Sequence, residues 1–145
     1  MHVSDILAKK GAKVFALYPD ATVSDAVREM DARSIGAVII IDRKGGVEGI
    51  LSERDIVRAL ARMGVGVLGD PVSDLMTRPV HTRHPETTLD EIMSMMTHGR
   101  FRHVPIVENG RLVGLVSIGD VVKHRLKEME LEVGVLRDVA RAAVH

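Results

Sequence analysis

The pattern glycine, two apolar residues, serine, two variable positions and aspartate occurs twice in this 145-residue chain. It is found at Gly49-Ile50-Leu51-Ser52-Glu53-Arg54-Asp55 and at Gly114-Leu115-Val116-Ser117-Ile118-Gly119-Asp120. Each copy lies where a strand-like run hands over to a helical one. Serine followed three residues on by a carboxylate is a variant of the capping box, which closes a helix's first turn without any ligand. Capping alone requires neither a glycine three residues ahead nor the same strand leading in, whereas a ligand approaching the backbone uses both. A helix start offers N–H groups and partial positive charge to an anion such as phosphate. An ionised carboxylate can accept hydrogen bonds from both hydroxyls of a ribose. The chemistry indicated is therefore nucleotide recognition, with Arg54 and the cluster Arg100-Phe101-Arg102-His103 supplying charge for phosphates.

Bond-making chemistry finds little support. The chain has seven histidines but no HExxH and no helical i, i+4 pair of histidines, so neither a metal site nor metal catalysis is expected. With no cysteine and no G-x-S-x-G, nucleophilic catalysis, disulfides and cysteine zinc sites drop out, and no catalytic residue or catalytic cofactor is assigned. Twenty basic and twenty acidic side chains give zero net charge, and Phe15, Tyr18 and Phe101 are the only aromatics, so a nucleic-acid partner is not expected. The longest wholly apolar run, Ala37 to Ile41, is too short for a membrane span, and the start lacks a signal peptide's apolar stretch. A soluble, cytoplasmic protein is expected.

The elements that carry the two motifs are themselves repeated. Val3-Ser4-Asp5-Ile6-Leu7 matches Val72-Ser73-Asp74-Leu75-Met76, and Thr22 to Val27 matches Thr88 to Met93. In each copy a threonine N-cap with an acid three residues on opens a helix whose apolar stripe runs i, i+3, i+4, i+7: Val23, Ala26, Val27, Met30 and Leu89, Ile92, Met93, Met96. Two strands follow, Ala37 to Ile41 with Val47 to Leu51, and Val104 to Val107 with Leu112 to Val116. Their hairpin turns are Lys44-Gly45-Gly46 and Asn109-Gly110, and Asn-Gly is a strong turn signal because both residues tolerate positive φ. The helix after the first motif carries Ile56, Val57, Leu60 and Met63 and is stopped by Gly64. Gly64 to Pro71 reads as a linker. Each half, with one three-stranded sheet and two amphipathic helices, buries too little alone, so the halves should pack as one module.

Taken together, the doubled unit resembles a tandem pair of CBS (cystathionine-β-synthase) domains, a Bateman module, over residues 1 to about 127. The resemblance rests on Gly-Ile-Leu-Ser-Glu-Arg-Asp-Ile-Val and on Arg102-His103-Val104-Pro105-Ile106-Val107 running through Gly114 into Val121-Val122. It implies an α+β fold: β-α-β-β-α repeats at 1–69 (with the linker) and 70–127 related by a pseudo-two-fold, then a helical extension at 128–145. It also implies clefts for adenosine ligands such as AMP, ADP, ATP, NAD(H) or S-adenosylmethionine, and homodimers. Carried over residue by residue, one cleft would set Asp120, Ser117 and Ile118 against ribose and phosphate. Val14, Phe15 and the backbone of Gly36-Ala37-Val38 would line its adenine, and Arg102 and His103 would reach its phosphate. The mirror cleft would pair Ser52, Glu53, Arg54 and Asp55 with Thr77, Val80, His81 and the backbone of Arg102-His103-Val104. Gly36-Ala37 carries no charge where Arg102-His103 does, so the two clefts are expected to be unequal.

The last helix continues past the repeat with Val122, Leu126, Met129, Val133, Leu136, Ala140 and Ala143 spaced alternately four and three apart, a heptad seam with Gly134 as its weak point. It packs on its own module or on a partner subunit, and its length beyond the repeat favours the partner. Two functions follow. The first is a stand-alone energy or redox sensor that binds an adenosine nucleotide and signals through an unknown downstream protein. The alternative is a ligand-independent dimerisation or interaction module whose motifs are structural caps.

Overall fold

The structure, a computed structural model, describes residues 1–11 and 14–144, with the side chain of Val144 excepted; His145, at the end of the expected extension, lies outside the described residues. In chain order it comprises α1 (Val3–Lys10), β1 (Ala16–Leu17), α2 (Val23–Arg33), β2 (Ala37–Ile41), β3 (Val47–Ser52), α3 (Glu53–Met63), α4 (Leu89–Gly99), β4 (His103–Glu108), β5 (Arg111–Ser117) and α5 (Ile118–Val144). The caps read from the sequence form as expected. Thr22 Oγ1 accepts the Asp25 amide at 3.1 Å, and Thr88 Oγ1 accepts the Glu91 amide at 3.2 Å. Gly64 ends α3 at φ 78°, and the Asn109-Gly110 turn has φ 54° and 76°.

β1, β2 and β3 form one sheet, with β1 parallel to β2 and β3 antiparallel to it; β4 and β5 form a two-stranded antiparallel sheet. The second sheet thus lacks the expected third strand, which shrinks to a bridge between Arg83 and Ile106. The cause is local. Arg83 exchanges hydrogen bonds with Pro105 and Val107, but the next amide, His84, is taken by Thr87 Oγ1, and Pro85 has no N–H to give. The residues read as a linker also differ from expectation. Val65–Gly69 is a 3₁₀ turn packed against α2 and α3, with Val67 buried and Leu68 against the neighbouring core.

Two hydrophobic cores result, and each borrows from the other copy. Val3 and Ile6 of α1 sit with Ile92, Val104, Ile106 and Val116 in the second core, while Val72 of the equivalent segment sits with Val23, Val38, Ile40 and Leu51 in the first. Backbone hydrogen bonds fix both exchanges: the Val3 amide donates to Thr87 O at 2.9 Å, and the Val72 amide to Ala21 O at 2.7 Å. Burying a Val or Ile side chain contributes roughly 1.5–3 kcal/mol. The exchanged segments are therefore integral to cores they do not adjoin in sequence.

The exchange also accounts for the motif glycines. A Cβ on Gly49 would lie 2.5 Å from Met76 Sδ, and one on Gly114 would lie 2.6 Å from Leu7 Cδ2. The sequence suggested that these glycines admit a ligand. The structure supplies a packing reason instead: each makes room for the last apolar side chain of the exchanged segment, and Gly114 also borders an open hollow.

Candidate functional site

Both motif carboxylates lie at the carboxyl end of a hairpin's second strand, held by the first turn of the next helix. Asp55 Oδ2 accepts the Ser52 amide at 3.0 Å while Ser52 Oγ accepts the Asp55 amide at 3.2 Å; Asp120 and Ser117 repeat this at 2.9 and 3.2 Å. The strand register sets Ser52 opposite Ala37 and Ser117 opposite His103. The first amide of α3 donates to Gly36 O at 3.0 Å and that of α5 to Arg102 O at 2.9 Å. Two of the first three amides of each helix are thus occupied by protein acceptors, which narrows the anion site expected there.

Around Asp55 the carboxylate borders an open hollow of about 380 Å³ lined by Gly36, Ile50, Ser52, Glu53, Arg54, Thr77, Arg100, Phe101, Arg102 and His103. The Thr77 hydroxyl donates to both Asp55 oxygens at 3.3 and 3.4 Å, which orients the half-buried carboxylate toward the hollow. Ser52, Glu53, Arg54, Asp55, Thr77, Arg102 and His103 are therefore brought together as expected. Val80 and His81 are not: His81 packs its ring on Phe101, with centroids 4.7 Å apart, on the side of another surface hollow. Ile50 completes the lining without having been read from the sequence.

The second hollow, about 560 Å³, is lined by Lys10, Gly11, Val14, Phe15, Arg33, Ile35, Ala37, Gly114 and Leu115. Val14, Phe15 and Ala37 stand where expected. Gly36, Arg102 and His103, also expected here, line the Asp55 hollow, although His103 lies opposite Ser117 and feels the charges of Lys10 and Asp120. Val38 here and Val104 in the mirror cleft, expected to offer backbone, bury their side chains in the cores. Ser117 and Ile118 hold the start of α5, and Asp120 reaches this hollow through a residue the sequence reading missed. Lys10 Nζ donates to Asp120 Oδ2 at 2.7 Å and to Leu115 O at 2.9 Å. The Arg33 guanidinium, also unread, lies 4.1 Å from the Phe15 ring centroid and covers its face.

The electrostatics separate the two sites. Burial would raise the Asp120 carboxyl, but the Lys10 and Ser117 hydrogen bonds and the Lys10 charge hold it below the ordinary carboxylate value. His103 is held below the usual imidazole value, first by burial and then by the Lys10 charge, with Asp120 pulling the other way. Asp55 shares its open hollow with Arg54, Arg100 and Arg102, whereas Asp120 is already ion-paired with Lys10. No groups of three or more potential metal ligands occur among the described residues.

A doubled strand–cap–helix unit with exchanged segments and two capped carboxylates beside hollows is matched by known proteins. Residues 3–62 and 72–127 each match the CBS domain. The chain belongs to the CBS-domain family. This CBS pair is 33% identical over 123 residues to an uncharacterized 17.7 kDa protein of Acidianus ambivalens, covering 84% of this chain and 73% of that one. It is 33% identical over 134 residues to the mitochondrial CBS domain-containing protein CBSX3 of Arabidopsis thaliana, covering 87% and 65%. Among solved structures, a CBS-domain containing protein of Agrobacterium tumefaciens superposes with a TM-score of 0.82 at 46% identity, over 86% of this chain and 99% of that one. The CBS domain pair of protein MJ0100, in complex with 5′-methylthioadenosine and S-adenosyl-L-methionine, gives 0.78 at 25% identity, over 88% and 98%. No helix among the described residues is long and apolar enough to cross a membrane.

Proposed function

We propose that this CBS pair is a regulatory rather than catalytic protein that binds an adenosine-containing ligand, AMP, ADP, ATP, NAD(H) or S-adenosylmethionine, in the hollows beside Asp55 and Asp120. It passes the occupied state to a downstream protein as a homodimer. The observation that carries this reading is the Asp55 hollow, where an oriented acceptor, an aromatic ring and Arg54, Arg100 and Arg102 surround one open space. The carboxylate suits ribose hydroxyls and the guanidiniums suit phosphate. A volume of about 380 Å³ lies in the range of small-molecule sites, roughly 300–1,000 Å³. The adenosine ligands of the MJ0100 CBS pair support the same class of ligand.

The competing reading is a ligand-independent module. Two findings favour it: the motif glycines accommodate side chains, and Lys10 occupies Asp120. Thermal denaturation of nucleotide-free protein with a panel of adenosine compounds separates the two. A ligand at about 100 times its Kd adds about 2.7 kcal/mol. A concentration-dependent rise in Tm with at least one compound is expected; no rise with any of them at millimolar concentration overturns the ligand-binding reading.

A further inference from the structure

The helix α5 runs unbroken from Ile118 to Val144, 27 residues or about 40 Å, through Gly134. Its own module covers only the beginning. Val121 and His124 point into the body and are buried, whereas Val122, Leu126, Met129, Val133 and Leu136 are 46–67% exposed on the other side. The seven-residue spacing puts Leu126, Val133 and Ala140 at a positions and Val122, Met129, Leu136 and Ala143 at d positions of a two-stranded coiled coil.

The charges beside this seam discriminate between orientations. In a parallel, in-register pair each g position faces the e position five residues on in the other helix. Here g and e are Arg125 and Glu130, then Glu132 and Arg137, so both pairings are attractive and each occurs twice by symmetry. The antiparallel overlap that buries the seam from Val122 to Ala140 sets Glu130 against Glu130, Glu132 against Glu132 and Lys123 against Arg137. Every one of these is a like-charge contact. Other antiparallel overlaps avoid repulsion at a cost in burial or pairing: matching Leu126 with Ala143 sets Glu130 against Arg137 twice but leaves Val122 uncovered, and matching Val122 with Val133 gives four attractive contacts but leaves Leu136, Ala140 and Ala143 uncovered. The parallel pair alone combines the whole seam with four attractive contacts. Arg125 also holds Glu128 of its own helix at 3.0 Å, which leaves further guanidinium donors for Glu130 of the other copy.

We infer that α5 of two copies pairs as a parallel, in-register coiled coil through Leu126, Met129, Val133 and Leu136, with Arg125–Glu130 and Glu132–Arg137 contacts between chains. Since the seam faces away from Val121 and His124, the two bodies flank the coiled coil on opposite sides. The inference rests on the homodimer reading above and adds its orientation, register and contacts.

The chain has no cysteine, so an introduced thiol is unique. The Leu136→Cys variant of the full chain, exposed to oxidised glutathione, is expected to form a disulfide-linked dimer, and Asp138→Cys, on the outer face, is expected to stay unlinked. Glu130→Arg should weaken the dimer by about fivefold in sedimentation equilibrium, and adding Arg125→Glu should restore it, as expected for pairs of this strength. A monomeric wild type removes both the homodimer and this inference. A dimeric wild type with unlinked Leu136→Cys, or with Glu130→Arg leaving dissociation unchanged, overturns the coiled coil alone.

Discussion

Lys10 Nζ lies 2.7 Å from Asp120 Oδ2, so the last residue of α1 occupies the carboxylate of the second motif. Under the proposed function, an incoming ribose would have to take this acceptor from an ammonium group. The ammonium, once displaced, remains beside the hollow as a cation for phosphate. On that reading the contact would select for phosphorylated ligands, because a neutral nucleoside would break the ion pair and give the lysine nothing in return.

Replacing the lysine tests that selection. In Lys10→Met, measured in an Asp55→Ala background so that one cleft remains, adenosine should bind about three- to tenfold tighter, and the preference for AMP over adenosine should shrink. The gain is on the order of 1 kcal/mol, because a charge-assisted bond between partly exposed groups is screened. Isothermal titration calorimetry with both ligands measures it. Unchanged adenosine affinity would show that Lys10 does not compete for Asp120.

At Asp55 the cap and the ligand contact can be separated. Asp55→Asn keeps an oxygen for the Ser52 amide and should leave Tm nearly unchanged while lowering nucleotide affinity about tenfold. Asp55→Ala should lose the affinity and also about 1 kcal/mol of stability, the usual net worth of a hydrogen bond, here the one from the Ser52 amide. If both variants bind as well as wild type, the carboxylate is a cap and nothing more.

The motif glycines should be intolerant for a packing reason. Gly114→Ala meets the branched Leu7 and should cost about 1–3 kcal/mol; Gly49→Ala meets the more pliant Met76 and should cost less. Met76→Ala should suppress the Gly49→Ala defect in a double-mutant cycle of thermal melts. Additive losses would contradict the close contact.

The lowered imidazole and carboxyl set a pH dependence with a definite sign. Because the folded pKa of His103 lies below its unfolded value near 6.5, the unfolded chain binds the extra proton first. Stability is therefore full above about pH 6.5 and falls as pH drops toward the folded value. Asp120 contributes above the ordinary carboxylate value and loses that contribution as pH falls through its own lower one. Lys10→Met should raise the His103 pKa measured by NMR titration, since the lysine charge helps hold it down. A fall would reverse the assigned cause.

Much of this was readable along the chain because it depends on neighbours in sequence. Thr22, Ser52, Thr88 and Ser117 cap helices through residues three positions away, and Asn109-Gly110 turns a hairpin through its own backbone. What escaped depends on distant partners. The space beside Gly114 is filled by Leu7, and Asp120 is held by Lys10, both from α1 at the other end of the chain. Arg33 reaches Phe15 from the end of α2. The third strand of the second sheet failed where Thr87 and Pro85 diverted the backbone, an effect too local for the repeat to reveal.

The reciprocal borrowing of segments has a consequence for how the chain is made. During synthesis α1 leaves the ribosome well before the residues that bury Val3 and Ile6, since Ile92, Val104 and Val116 follow about a hundred residues later. Until then its apolar face has no place to go. The first core can close once Val72 has emerged, so the N-terminal half assembles around a segment of the other copy while its own first helix waits. Final docking of α1 joins contacts far apart in sequence, a slow kind of step, and it couples both halves into one cooperative unit.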